Sequence, residues 1–339
     1  TLIDIQILFE LAITASVGTA VMIITNKFML PGLLSYAKMS PSTIAKLRAK
    51  ESGGHKPFWW FLSGFVERKR ANWVLLVAVG ALIFGVWKGA DLIIGDSEAG
   101  APEFWPDSLY NQDINSIISN FNIGIDEVTV IVEMGKDGCV NWSIMETVDH
   151  FVWEMSNVEG IQSIQSLSTI LKVRTVGNAE GHPKFFAMPR DQYSLSSALR
   201  NMELNQKVFN DKCDAIPVRL FLGDHKAETL ARVVAAVKEF DAEYGRDEVR
   251  FRLSSGTAGV MAAINEAVSE AELNMLIALF TATGILTYLT FFSFRGALCV
   301  LIPLALVSYL GNAVMVLMDI GLKVSTLPVV ALGVGVGVD

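Results

Sequence analysis

Cysteine is scarce in this sequence: three in 339 residues, at Cys139, Cys213 and Cys299. Histidine is hardly commoner, with His55, His150, His182 and His225 scattered along the chain. Neither set has the close ligand spacing of a zinc site, so no metal is expected. No Gly-x-x-x-x-Gly-Lys-Ser/Thr segment is present to cradle phosphates, so energy from bound ATP finds no support within these residues. No serine sits in a nucleophile elbow. Charged residues make up only 18% of the chain, the net charge is −8, and residues 95–272 offer no basic patch for nucleic acid. These absences argue against an enzyme, a cofactor and a nucleic-acid partner.

What is abundant is hydrophobic residue, 52% of the chain. It is concentrated in five segments, near 5–34 (ending at the break Pro31-Gly32), 73–87, 273–292, 297–318 and from 327 onward. Runs of about 20 apolar residues fit membrane helices. The second is short and needs residues 74–94 to span. The spacing thus predicts transmembrane helices at 1–34, 73–94, 273–293 and 297–319, and a truncated one at 326–339. Because residues 326–339 rise only about 21 Å, short of a roughly 30 Å hydrocarbon core, the chain is expected to be a fragment cut inside a membrane helix.

Between the second and third spans the character changes, and residues 95–272 read as one inserted domain. Residues 127–133 alternate as a strand, 143–157 as an amphipathic helix and 161–167 as the next strand. A second unit follows with strand 217–222, helix 227–244 and strand 248–254. Two β-α-β units with a helical insertion around 195–209 predict an α+β domain of the split, ferredoxin-like kind. The fold class expected is therefore an α-helical membrane protein with an inserted α+β domain.

Charge sets the orientation. The 35–72 linker and its flanks carry Lys27, Lys38, Lys46, Arg48, Lys50, Lys56, Arg68, Lys69 and Arg70 against Glu51 and Glu67. The turn Ser293-Phe294-Arg295-Gly296 adds Arg295, whereas the inserted domain is acidic. By the positive-inside rule the basic loops are cytoplasmic and residues 95–272 lie outside the membrane. The stretch 58–70, opening Phe58-Trp59-Trp60-Phe61, reads as a helix lying on the inner leaflet, or else as the ordinary flank of a span.

The informative motif is Thr326-Leu327-Pro328-Val329-Val330-Ala331-Leu332-Gly333-Val334-Gly335-Val336-Gly337-Val338-Asp339. Gly333 and Gly337 share one helix face, the small-xxx-small spacing that lets membrane helices approach closely, with Gly335 between them. Asp339 then falls about 20 Å into the bilayer, where a carboxylate is costly and reads as a proton or ion site. The bland alternative is a helix that ends near Asp339 with the acid facing water. Glu10 lies near the outer end of its span and reads as a snorkelling or hydrogen-bonding group. Asp4 and Asp319 mark a membrane boundary. Cys299 is a packing residue within a span. Cys139 and Cys213 both lie in the inserted domain, either as free thiols or as a disulfide, since sequence gives no distance. Gly256-Thr257-Ala258-Gly259 reads as a hinge between domain and third span.

Taken together these residues resemble the resistance-nodulation-division superfamily, in its MMPL-like branch of predicted exporters. Met29-Leu30-Pro31-Gly32-Leu33-Leu34 is similar to the end of that family's sixth helix, and the basic loop to the linker between its two repeats. Trp105-Pro106-Asp107-Ser108-Leu109-Tyr110-Asn111-Gln112-Asp113 resembles the opening of its second periplasmic domain. Asp224-His225-Lys226-Ala227-Glu228-Thr229-Leu230 is similar to the start of a porter-domain helix, and 327–339 to the tenth helix. The resemblance implies a proton-relay role for Asp339 and secondary active export of hydrophobic or lipid-like cargo across a bacterial inner membrane. It also implies a porter domain in the periplasm, membrane lipids as surroundings, the protein's N-terminal half as partner, and relatives of differing homo-oligomeric state. Two other readings share the architecture: a sterol-sensing-type receptor that does not pump, and an accessory of protein secretion.

Overall fold

The computed structural model describes residues 6–36, 42, 45, 64–97, 100–101, 104–105, 107–121, 123–200, 208–328 and 333. The chain divides into two compact units. One holds residues 1–92, 267–318 and 324–339, the other residues 93–266 and 319–323.

The first unit is helical. Helix α1 (Gln6–Ile24) runs through a π-helical turn at Thr25–Met29 into α2 (Leu30–Tyr36). The expected break at Pro31-Gly32 is absent, because the backbone stays helical to Tyr36. The wide turn explains it: the Leu30 N–H reaches back to the Thr25 carbonyl, relieving the crowding that a proline ring imposes on the preceding turn. Helix α3 (Arg68–Gly89) starts five residues before the apolar run and ends before residue 94. Its basic residues therefore form its first turn. The aromatic run 58–61 lies outside the described residues.

The second unit begins with α4 (Leu109–Asn120), capped by the Ser108 hydroxyl accepting from Asn111 N–H. Then come β1 (Asp126–Met134), α5 (Trp142–Met155), β2 (Ile161–Gln165), α6 (Leu167–Asn178) and α7 (Gln192–Arg200). The series closes with β3 (Ala215–Leu222), α8 (Ala227–Tyr244) and β4 (Val249–Ser255). The sheet order is β2-β3-β1-β4 and every neighbouring pair is antiparallel. This is an α+β domain in which α5 and α8 each connect a strand to a non-neighbouring one. The helical insertion is larger than the sequence suggested, since α6 starts directly after β2, with Ser166 accepting from Thr169 N–H as its cap.

Strand alternation sends Val128, Val130, Val132, Ile216, Val218, Leu220 and Phe251 to one face, where α5 and α8 cover them. At the centre are three rings. Phe240 of α8 lies 5.1 Å from Phe151 and 5.0 Å from Phe251, both edge-on, and all three are buried. Replacing Phe240 by Ala removes the middle ring. The expected loss is about 3–5 kcal/mol of domain stability, read as a lowered urea midpoint. An unchanged midpoint would remove this cluster from the core.

Helix α9 (Thr257–Phe291) is continuous for 35 residues, about 52 Å at 1.5 Å per residue. The expected hinge therefore shrinks to one residue. Thr257, Ala258 and Gly259 are already helical, and Gly256 alone turns the chain, at φ +94°. A side chain at Gly256 would overlap the Glu127 carbonyl. After a two-residue turn, α10 (Phe294–Leu317) begins, capped by the Ser293 hydroxyl accepting from Gly296 N–H.

Candidate functional site

Four helical stretches are long and apolar enough to cross a membrane: Leu8–Tyr36, Arg68–Gly89, Thr257–Phe291 and Phe294–Leu317. Their large apolar side chains, such as Val77, Ile83, Leu286 and Ile302, point outward, as lipid-facing residues do. Within this helical unit α3 and α10 pack along each other. Gly85 permits the approach, because a Cβ there would lie 3.1 Å from the Tyr309 carbonyl carbon and 3.2 Å from Leu310 N. At Gly89 it would lie 3.3 Å from Asn312 Cβ. Gly85 and Gly89 are four apart, so they form a small-xxx-small contact between α3 and α10, of the kind expected from the sequence at Gly333 and Gly337. Leucine at position 85 must push the helices apart. We expect a cost of about 1–3 kcal/mol and a lower melting temperature in detergent, with Gly85→Ala tolerated better.

Asn312 extends this contact. Its side-chain oxygen is buried and accepts no hydrogen bond among the described residues. An unpaired amide acceptor between apolar helices can take a hydroxyl or a protonated carboxyl. The sequence reading passed over it, since a single Asn in an apolar run carries no spacing signal. Glu10 accepts from Gln6 Nε2 at 3.0 Å, one turn earlier on α1, so its partner lies on its own helix.

The glycine-rich motif is described only in part. Gly333 is helical, with nothing within 4 Å of where a Cβ would stand. Gly335, Gly337 and Asp339 lie outside the described residues.

In the α/β domain Cys139 and Cys213 are joined, with Cα atoms 5.5 Å apart. The bridge ties the 3-10 turn Gly138–Val140 to the loop before β3, and Cys139 is fully buried. The insertion also forms a cleft of about 520 Å³, walled by α6, the turn Pro183–Phe185 and α7. Arg174 and Lys184 line it together with the exposed rings of Phe185 and Tyr193. Asp191 caps α7, and the Ser194 N–H that it accepts at 2.8 Å holds its carboxyl below the ordinary range. Two cations and two exposed rings lining one cleft suit a ligand with an anionic head and an apolar body. Of the motif at 224–230, Asp224 and His225 form the turn before α8, and His225 is buried.

Spans and domain together define a multi-pass helical membrane protein with an inserted mixed α/β domain. No protein-family profile matches the chain, and no curated protein matches it either.

Proposed function

We propose that the chain is part of a proton-driven exporter of hydrophobic or amphiphilic cargo, of the resistance-nodulation-division type. The observation that carries this reading is the insertion, between membrane helices α3 and α9, of a domain whose four strands run in the order β2-β3-β1-β4. That order is the one expected of a ferredoxin-like porter module, and the positive-inside charge pattern supports its location outside a bacterial inner membrane.

In this reading Asp339, in its glycine-rich helix, loads a proton from one side and releases it to the other. The rest of the machinery lies in the N-terminal half that the resemblance implies. The mixed cleft beside Arg174 and Lys184 supports handling of amphiphiles by the domain. Membrane lipids are the surroundings, and chemistry on the cargo is not part of the reading.

Efflux measurement tests it. Cells expressing the full-length protein should release a fluorescent amphiphile faster than a deletion strain, and a protonophore should abolish the difference. Efflux that persists unchanged with protonophore present would remove proton coupling.

A further inference from the structure

The sequence motif around His225 has a structural role that export does not use. Two short segments meet in the α/β unit: residues 93–97, which follow α3 in the chain, and 319–323, which follow α10. Ile94 and Leu322 form a parallel bridge. The Gly95 N–H donates to the Leu322 carbonyl, and the Leu322 N–H donates to that of Ile93, each at 2.8 Å. The Ser97 hydroxyl donates to the Asp319 carbonyl at 2.6 Å, and Lys323 Nζ contacts Asp96 Oδ1 at 2.5 Å. A side chain at Gly321 would overlap the Gly95 carbonyl, so the backbones are in close contact.

Asp96 also joins this strap to the start of α8. Its carbonyl accepts from Ala227 N–H at 2.9 Å, two residues past His225. His225 is 4% exposed, and its Nδ1 lies 3.0 Å from Asp126 Oδ2 on β1. Its Nε2 is buried with no hydrogen-bond partner among the described residues. The charged groups acting on the ring are Asp126 on β1, Asp224 in its own turn and Asp96 on the strap, with Lys226 next in sequence and Lys323 paired to Asp96.

We propose that His225 is a proton-binding site of the α/β domain, and that its occupancy sets how firmly 319–323 is held against 93–97. The charge balance gives the direction. With a neutral ring, the carboxylates of Asp126, Asp96 and Asp224 that act on His225 have Lys323 of the strap, paired with Asp96, as a cation. A proton on His225 adds a second cation among them. The Asp126 hydrogen bond is the largest influence holding the ring's pKa above 6.5, aided by the charges of Asp126, Asp96 and Asp224 and opposed by burial. For a histidine displaced upward, the stabilising contribution is complete below 6.5 and disappears as pH rises through the folded-state value. The strap is therefore tight in acid and loosens on the alkaline side.

Hydrogen exchange at the Gly95 and Leu322 amides tests it, on the purified chain in lipid nanodiscs between pH 5.5 and 9. After correction for intrinsic exchange, protection should fall severalfold across the His225 titration, because the folded state holds the proton more tightly than the unfolded one. In His225→Gln protection should not vary with pH. Titration of labelled histidine by NMR in the unsubstituted chain, with four histidines to assign, should give His225 the same midpoint as the two amides. That second readout decides the matter even where the Gln variant does not fold. Flat protection in the unsubstituted chain, an unchanged pH profile in His225→Gln, or a His225 midpoint away from that of the amides would overturn the proposal.

Discussion

Replacing Asp339 by Asn in the full-length protein is expected to lower cargo efflux at least about a hundredfold, to the level of a deletion strain. Asparagine keeps the size and much of the polarity of the carboxyl group but cannot take up and release a proton in the working range. Folding should survive, since a neutral amide is cheaper in hydrocarbon than a carboxylate. Expression and melting temperature of the variant should therefore match the parent, which separates loss of mechanism from loss of structure. Asp339→Glu, which keeps the titrating group on a longer arm, should retain part of the activity. A receptor or a secretion accessory of the same architecture would tolerate the Asn without loss.

Removal of the disulfide should lower stability strongly. Cys139 and Cys213 close a loop with a sequence separation of 74. Releasing a loop of that length returns chain entropy to the unfolded state worth about 4 kcal/mol, within a usual range of 2–5. Urea unfolding of the Cys139→Ala/Cys213→Ala double variant, followed by near-ultraviolet circular dichroism, should show a midpoint lower by about 2 M for a slope near 2 kcal/mol/M. Alanine is the informative choice because Cys139 is fully buried, where serine would add an unpaired hydroxyl. A reductant should reproduce the shift in the parent and leave the double variant unchanged. A midpoint within about 0.3 M of the parent would mean that the bridge adds little to the constraints already present.

Where burial and periodicity agree, the sequence was enough. The residues 227–244 carry an apolar stripe at helical spacing, and α8 has those bounds, because Leu230, Val233, Val237 and Phe240 all reach the core. The strands were legible for the same reason: alternation is strong where one face is covered. Helix α4 was not legible, since Leu109, Tyr110 and Ile117 remain exposed and its Asn and Ser residues look like turn material. Its existence depends on the Ser108 cap and on Asn111, which bonds the Ala101 and Trp105 backbone.

Membrane helices were found by length and composition, but their ends were set by local chemistry that an apolar count does not register. A π turn carried the first past Pro31, three basic residues began α3, and α9 started inside the domain. The candidate site divides in the same way. An acid after a glycine-rich run is visible in any sequence, whereas Gly85, Gly89 and Asn312 became recognisable only when α10 was placed beside α3. His225 likewise needed β1 and the strap around it before its partners could be named.

The most direct measurement is proton flux through the full-length protein in liposomes loaded with a pH-sensitive dye. Proton-driven export by way of Asp339 predicts that cargo addition accelerates the collapse of an imposed pH gradient, and that Asp339→Asn abolishes the acceleration. Equal, cargo-stimulated flux in parent and variant would contradict it.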